Sequence, residues 1–227
     1  MRIGAYAVKI TRPGKVLFPE DGITKGDLIE YYRRIARWML PHLRGRPLMM
    51  ERNPDGIDKP GFLQKAAARH YPDWIEKMTV GKVGGTVKHV ICQNSSTLVY
   101  LANQACITPH IWLSRVDSLE YPDQMIFDLD PAGDDFAHTK AIAQSLKRFL
   151  DELGLPAYVK ATGSRGLHVA VPLNRRDNFT SVRTFARELA EVLVSKDPPS
   201  IGLWSSAKAC AKDVSSWIRT ATHTLKR

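Results

Sequence analysis

The stretch that decides the fold is Gln124–Pro131, QMIFDLDP, in which an apolar run leads into two aspartates. Its aromatic and branched content predicts a β-strand over residues 124–129. Because side chains alternate between the two faces of a strand, Asp128 and Asp130 project to the same side and Leu129 to the other. The sequence therefore predicts a strand that presents two neighbouring carboxylates on one face.

The segments after this strand predict the order β-α-β-β-α. Strands are expected at residues 157–161 and 167–171, and a helix precedes the first of them and follows the second. This order is that of a split β-α-β-β-α-β unit without its closing strand, in which two helices cover one face of a four-stranded antiparallel sheet. The apolar residues that mark the two helices are Ile142, Leu146, Phe149 and Leu153, ending at Gly154, and then Val182, Phe185, Leu189 and Leu193.

The N-terminal half also mixes helices and strands. Thr24 and Asp27 form a predicted capping box at the start of an amphipathic helix that runs to Leu40. Residues 14–22 predict a short strand followed by a loop bounded by Pro and Gly. Further expectations are a loop between strands at residues 44–61 with a turn at 53–56, a strand at 86–93 and a helical or mixed segment at 98–106.

The composition is that of a globular protein, and its excess positive charge points to a polyanionic partner. The chain has 227 residues, of which 44% are hydrophobic and 25% charged, as in ordinary soluble proteins. Its formal net charge is +10, and its pI is near 9.6. Lys and Arg release condensed counterions when they bind phosphates, so nucleic acid is the natural candidate, with a generically basic soluble protein as the alternative.

Neither a membrane anchor nor a cysteine-based site is predicted. No run reaches the roughly 18 to 20 apolar residues of a membrane span, and the N-terminus lacks a signal-peptide pattern, so a cytoplasmic location is expected. Cys92, Cys106 and Cys210 are widely spaced and outside any zinc-binding pattern. We expect them to be buried or incidental thiols.

Two carboxylates on one face of a strand repel each other unless a cation lies between them. Hard oxygen ligands suit Mg²⁺ or Mn²⁺, which keep several waters and bind substrate phosphates. Asp128 and Asp130 therefore indicate metal-assisted phosphoryl transfer. The alternative is a turn or helix-capping cluster, which residues 131–133 (PAG) and the acids Asp134 and Asp135 also fit.

A second polar segment, Ser164–His168 (SRGLH), places a hydroxyl, a guanidinium and an imidazole at the start of a predicted strand. These donors suit a triphosphate. Alone, His168 also fits a core histidine, and the Ser-Arg-Gly turn also fits an ordinary surface turn. The occurrence of both polar segments in one β-α-β-β unit favours a functional site.

Both segments resemble the first two motifs of the archaeo-eukaryotic primase superfamily. Within it, Phe127–Pro131 and Ser164–His168 are similar to the polymerase domain of bacterial ligase-D-type proteins of non-homologous end-joining. The resemblance extends from about residue 9 to 197. It is continued in the N-terminal half by Lys15–Pro19 (KVLFP), Thr24-Lys25, Arg46-Pro47 and Asn53–Gly56 (NPDG).

The resemblance implies an α/β (α+β) primase-polymerase fold in a single domain, residues 1–227. An N-terminal α/β portion over about residues 1–120 precedes an RRM-like β-α-β-β-α-β catalytic portion over residues 121–197. The last strand of that portion is expected to be missing, and residues 200–227 form an atypical tail.

The tail lacks the family's third motif, an aspartate at the end of a hydrophobic strand. Asp213 is the only acid after Asp197, and no strand-forming run precedes it. If each codon's third base is joined to the first two bases of the next, the reading from Gly202 permits a basic loop and a strand ending in aspartate, whose codon straddles Trp217 and Ile218. We therefore hypothesise a frameshifted tail that costs one metal ligand and one strand, and resequencing the gene tests it.

The resemblance also implies roles for individual residues. Asp128 and Asp130 are expected to bind the catalytic metals, Mn²⁺ or Mg²⁺. Leu63 and Glu51 depart from the aromatic and basic residues that can occupy these positions. The other implied contacts are His110, Ser164, Arg165 and His168 to the incoming nucleoside triphosphate, Lys15 and Lys25 to the 5′-phosphate of a DNA end, and Arg52 and Phe62 to the template strand. For the two lysines the alternative is a solvated basic surface.

The implied function is two-metal, template-directed nucleotidyl transfer that fills and extends DNA ends in double-strand break repair. The implied partners are a gapped or broken duplex with a 5′-phosphate, Ku, and ligase or nuclease domains of a parent protein, and ribonucleotides are the implied preferred substrates. Two alternatives stay open. One is a catalytically impaired DNA-end-binding module, and the other is a metal-dependent phosphoesterase.

Overall fold

The computed structural model describes residues 1–131, 135–163 and 165–196. Ser164 and the tail at residues 200–227 lie outside them. The prediction that the closing strand is missing concerns the same tail and therefore also falls outside the described residues. The chain divides between Asp117 and Ser118 into two compact units, each with its own hydrophobic core. Helices and several antiparallel sheets are both present, so the predicted mixed α/β class is confirmed.

The first unit is built on one five-stranded antiparallel sheet and two helices. In the sheet, β5 pairs with β6, β8 and β9, and β8 also pairs with β7, while β1–β2 and β3–β4 form two small hairpins. The bounds are β1 Arg2–Ile3, β2 Tyr6–Ala7, β3 Val16–Phe18, β4 Ile23–Thr24, α1 Lys25–Leu43, β5 Pro47–Arg52, β6 Phe62–Gln64, β7 Lys77–Lys82, β8 Gly85–Ile91, α2 Ser95–Asn103 and β9 Cys106–Ile111.

Helix α1 begins at the predicted capping box. The Thr24 hydroxyl accepts from the backbone N–H of Asp27, and the Asp27 carboxylate accepts from the backbone N–H of Thr24. These bonds satisfy two donors that the first helical turn leaves unpaired. The helix continues beyond the predicted Leu40 to Leu43, because its buried stripe also continues to that residue.

The predicted loop over residues 44–61 is wrong in its first half, where Pro47–Arg52 forms strand β5. Leu48, Met49 and Met50 are all buried, since other elements cover both faces of the strand. The alternation of apolar and polar residues that identifies a half-exposed strand is therefore missing. The predicted turn that follows is confirmed, with the N–H of Gly56 donating to the carbonyl of Asn53 at 3.1 Å.

The second unit has the predicted order β-α-β-β-α. Its antiparallel sheet has the order β10-β12-β11, with the unit's two helices packed against one face. On β10 and β12 every second side chain is buried, which gives the sheet one covered face and one open face. The bounds are β10 Gln124–Leu129, α3 Phe136–Glu152, β11 Tyr158–Ala161, β12 Leu167–Pro172 and α4 Phe179–Lys196.

Details of the helical predictions differ from the structure. Phe185 is exposed, whereas Leu189 and Leu193 are buried on α4 as predicted, and Val182, Ala186 and Ala190 are partly buried beside them. Leu153 is the C-cap residue of α3 and is also exposed. Cys92 and Cys106 are buried free thiols, as expected, and burial raises the pKa of each to about 12. None of the described helices is long and apolar enough to cross a membrane.

His89 provides a prediction for the stability of the first unit. It is buried, its Nδ1 lies 3.1 Å from the carbonyl oxygen of Leu48, and burial lowers its pKa. As the pH falls through the ordinary histidine pKa of about 6.5, the unfolded chain binds a proton that the native chain does not, so the free energy of unfolding decreases. We expect His89→Asn, which keeps a donor for Leu48, to remove this acid-sensitive component. Urea titrations between pH 7 and 5 measure it, and equal pH dependence in both proteins would contradict the prediction.

Candidate active site

The two predicted metal-binding aspartates lie at the end of β10, on the open face of the second unit's sheet. Met125, Phe127 and Leu129 project into the core, whereas Asp128 is half-buried and Asp130 is exposed. The alternation of the strand therefore holds both carboxylates on the side away from the helices. The apolar residues fix which way the strand faces, and that orientation places the acids at the surface.

A histidine lies directly opposite the first aspartate. Asp128 and His168 are register partners on β10 and β12, and the His168 Nε2 lies 3.2 Å from the Asp128 Oδ1. Their side chains are 22% and 26% exposed, so both remain accessible from the open face. The sheet thus brings together the two polar segments that the sequence analysis selected.

Sequence reasoning missed Lys160, the next residue across the same sheet. It pairs with His168 in the register of β11 and β12, so Asp128, His168 and Lys160 form one cross-strand row on the open face. Register partners in an antiparallel pair project to the same side. The signal that could have found Lys160 is its place in the predicted strand at 157–161, combined with the hairpin register.

Gly166 lets the two strands approach each other beside Asp130. A Cβ atom at this position would lie 2.6 Å from the Asp130 Oδ1 and 2.8 Å from the carbonyl oxygen of Leu129. The turn before it is closed by Thr162, whose hydroxyl accepts from the N–H of Gly166 at 3.1 Å. Only glycine therefore leaves room for the carboxylate at the start of β12.

The donor set on this face fits a divalent cation that keeps water ligands. Asp128 and Asp130 offer carboxylate oxygens, which suit Mg²⁺ or Mn²⁺. The described residues contain no cluster of three or more acidic, histidine or cysteine side chains with metal-binding geometry. In that same part of the chain the buried Nδ1 of His168 has no hydrogen-bond partner. Buried polar atoms usually have partners, so a water or ligand is expected there.

Arg165 and Ser164 complete the second predicted motif. Arg165 is exposed at the start of the segment that leads into β12. Ser164 lies outside the described residues, so its contact with a nucleotide stays a prediction.

In the first unit, Lys15 lies directly before β3 and Lys25 is the first residue of α1. The two are neighbours in space, because the backbone N–H of Lys25 donates to the carbonyl oxygen of Lys15 at 2.8 Å. The Lys15 Nζ forms an ion pair with the Asp55 Oδ1 at 2.6 Å, and this hydrogen bond lowers the pKa of Asp55. The side chain of Lys25 is buried, and its Nζ donates to the Thr11 Oγ1 at 3.1 Å. Burial, followed by the charges of Arg12 and Lys15, lowers the pKa of Lys25. Arg12, Lys15 and Lys25 thus lie close together, with Asp55 paired to one of them.

The guanidinium of Arg52, a predicted template contact, is held by neighbouring amide groups. It donates to the backbone oxygen of Gln104 at 2.7 Å and to the Gln64 Oε1 at 2.5 Å. Its Cζ lies 5.3 Å from the ring centroid of Phe62, which is 48% exposed. The arrangement holds Arg52 behind an exposed aromatic ring, and Phe62 is the more exposed member of the pair.

His110 lies on β9, and its partner is on the neighbouring strand β5. Its Nε2 lies 3.1 Å from the Glu51 Oε2, and both side chains are exposed. Glu51, which departs from the family pattern, therefore has a defined contact.

The fold and the paired aspartates opposite a histidine place the chain in the primase-polymerase class. The family model described as "LigD, primase-polymerase domain" matches residues 24–214. The chain therefore belongs to the LigD primase-polymerase domain family.

Relatives and a solved structure agree with this assignment. The chain is 32% identical over 194 residues to a multifunctional non-homologous end joining protein LigD from Mycolicibacterium smegmatis. It is 30% identical over 193 residues to a bifunctional non-homologous end joining protein LigD from Bacillus subtilis. These matches cover 84% of the chain but only 26% and 31% of the two relatives.

The solved structure is the polymerase domain of Mycobacterium tuberculosis ligase D in complex with DNA. It matches with a TM-score of 0.79 and 32% sequence identity, over 85% of this chain and 70% of that one. The similarity therefore extends from local motifs to the arrangement of helices and strands.

Proposed function

We propose that the chain is a DNA-dependent nucleotidyltransferase that fills and extends DNA ends in double-strand break repair by non-homologous end-joining. The observation that carries the proposal is the placement of Asp128 and Asp130 on one open sheet face, with His168 3.2 Å from the first carboxylate. Two carboxylates fixed by a strand are suited to holding a cation against a phosphate. Membership of the LigD family and similarity to a DNA-bound polymerase domain support the same reaction.

Each residue of the open face has a separate task in this proposal. Asp128 and Asp130 would hold Mn²⁺ or Mg²⁺, which supplies charge neutralisation for the triphosphate and activation of a primer 3′-hydroxyl. His168 is held in place by its strand and donates to a phosphate oxygen, and Arg165 and Ser164 contribute further donors. Lys160 adds positive charge beside His168. His110 is not part of this face, and a further contact from it to the triphosphate is proposed only by relationship to the family.

The proposed DNA partner is a gap or break with a 5′-phosphate. Lys15 and Lys25 hold the terminal phosphate, whose extra charge distinguishes an end from a continuous backbone. Phe62 stacks near the template strand, with Arg52 behind it. By relationship to the family, we also propose Ku as a partner and ligase and nuclease domains in a parent protein. Ribonucleotides are the proposed preferred substrates.

Primer extension on a gapped duplex tests the reaction. The substrate is a duplex with a primer, a short gap and a 5′-phosphate on the far side, with Mn²⁺ and nucleoside triphosphates. We expect short, template-dependent extension. Binding of the gapped duplex without any extension would favour a second candidate, a DNA-end-binding module. The sequence gives a specific reason to consider it. Asp213 is the only acid after Asp197 and no strand-forming run precedes it, so the third metal-binding aspartate that the family resemblance implies has no counterpart in the tail.

The phosphate contact gives a separate prediction. We expect Lys25→Ala to reduce the preference for a 5′-phosphorylated gap over a 5′-hydroxyl gap by roughly tenfold or more, since a charge-assisted contact is lost. Fluorescence anisotropy at fixed salt measures both affinities.

The matched control for this prediction is Lys82→Ala, which removes one exposed positive charge from β7. It is expected to weaken binding to both substrates slightly and equally, because it changes only the general charge of the protein. An unchanged preference in Lys25→Ala would exclude this lysine from phosphate recognition.

A further inference from the structure

We propose that Thr11 and Asn103 are positioning residues that set the Lys25 ammonium group for a terminal phosphate. The inference rests on the proposed function, because it concerns the same 5′-phosphate site. It adds two residues, separated by 92 positions in the sequence, to which the family resemblance gave no role.

A directed chain of hydrogen bonds connects Lys25 to α2. The Lys25 Nζ donates to the Thr11 Oγ1 at 3.1 Å, and the Thr11 hydroxyl donates to the Asn103 Oδ1 at 3.3 Å. The same Oδ1 accepts from the backbone N–H of Thr11 at 3.0 Å. The Asn103 Nδ2 donates to the carbonyl oxygen of Lys9 at 3.0 Å, which fixes the orientation of the amide. The direction of each hydrogen bond is therefore fixed: Lys25 donates to Thr11, the Thr11 hydroxyl donates to Asn103, and the Asn103 amide donates to the backbone of Lys9.

The far end of this chain is rigid. Asn103 is the last residue of α2 and is only 5% exposed, and its neighbours on that helix are buried. Its amide thus connects the loop at residues 9–11 to the core of the first unit. A loop held in this way can fix a hydroxyl to within hydrogen-bonding distance of an ammonium group.

The choice of a neutral partner for Lys25 has an electrostatic consequence. Lys15 already shares its charge with the carboxylate of Asp55, whereas the contact shown for Lys25 is with a hydroxyl. A hydroxyl orients the ammonium group without neutralising it, so the positive charge stays available to an anion. Lys25 is 6% exposed, and Arg12 and Lys15 add to the local potential. A phosphate dianion would compensate for the desolvation of the buried ammonium group and would reduce the repulsion among the three cations.

The test compares Thr11→Val with Thr11→Ser. Valine has nearly the shape of threonine but cannot accept from Lys25 or donate to Asn103, whereas serine keeps the hydroxyl. The readout is the ratio of affinities for a 5′-phosphorylated and a 5′-hydroxyl gapped duplex, measured by anisotropy with melting temperatures in parallel. The matched control is Thr79→Val on the exposed side of β7, which removes a hydroxyl remote from the chain of contacts.

We expect Thr11→Val to reduce the 5′-phosphate preference by roughly five- to tenfold, the effect of losing the net contribution of about one hydrogen bond. Thr11→Ser and Thr79→Val should keep the preference of the unchanged chain. The affinity for the 5′-hydroxyl duplex should stay the same in all three variants. A purely structural role for Thr11 would instead lower the melting temperature and weaken binding to both duplexes equally.

The outcomes separate this inference from the proposed function. If the unchanged chain shows no 5′-phosphate preference, or if Lys25→Ala keeps it, the phosphate site itself is wrong. If Lys25→Ala loses the preference while Thr11→Val keeps it in full, the site stands and the positioning role is overturned. Equal loss of binding to both duplexes in Thr11→Val also overturns it.

Discussion

Replacing Asp128 with Asn is expected to reduce nucleotide incorporation by roughly a thousand-fold, the scale seen when a preorganised electrostatic group is removed from an active site. Asparagine has the same shape but cannot contribute a negatively charged oxygen to a cation. The fold should tolerate the change, because Asp128 lies on the open face and its neighbour His168 can still approach an amide oxygen at this position. Single-nucleotide incorporation into a gapped duplex measures the effect.

The matched control for this substitution is Asp151→Asn on the exposed surface of α3. That variant also removes one carboxylate from the second unit, but it breaks only a surface ion pair with Lys147. Such pairs contribute little to stability, so activity and melting temperature should both be nearly unchanged. Comparable activity in Asp128→Asn and Asp151→Asn would exclude Asp128 from the metal site.

Gly166→Ala should cause the second large loss, roughly a hundred-fold in incorporation, because it moves a metal-binding carboxylate. The new Cβ would lie 2.6 Å from the Asp130 Oδ1 and 2.8 Å from the backbone oxygen of Leu129. Either the carboxylate or the end of the β10–β12 pair must shift, and a displacement of about 1 Å can cost this much activity. Overpacking of this kind also lowers stability, by about 1 to 3 kcal/mol.

Gly154→Ala separates crowding from backbone strain. Gly154 follows α3 at φ +70°, with no atom within 4 Å of an added Cβ. Alanine there should cost about 1 to 2 kcal/mol of stability through the left-handed conformation alone and leave incorporation unchanged. If Gly166→Ala were as active as Gly154→Ala, the close approach beside Asp130 would have no functional consequence.

The second unit was the more predictable half of the chain. Its strands alternate buried and open positions, and Ile142, Leu146 and Phe149 mark its first helix at a helical spacing. Periodic burial of this kind is visible in the sequence. The same alternation was sufficient to place Asp128 and Asp130 on one face, and the antiparallel register then brought His168 opposite Asp128.

Features that depend on long-range contacts could not be predicted in this way. Strand β5 is covered on both faces, so Leu48, Met49 and Met50 show no alternation. Lys160 enters the site only through the register of β11 with β12. The bonds of Arg52 to Gln104 likewise join residues that are 52 positions apart. In each case the partner is chosen by tertiary structure, which local periodicity does not encode.

Mn²⁺ binding tests most directly the claim that the paired aspartates on β10 form a metal-dependent nucleotide site. Water-proton relaxation, with and without a nucleoside triphosphate, detects protein-bound Mn²⁺ independently of catalysis. We expect the protein to bind Mn²⁺, with an affinity that increases when the nucleotide is added. The Mn²⁺ affinity should fall at least about tenfold in an Asp128→Asn, Asp130→Asn double variant and stay the same in Asp151→Asn. Undiminished Mn²⁺ and nucleotide binding in the double variant would contradict the account.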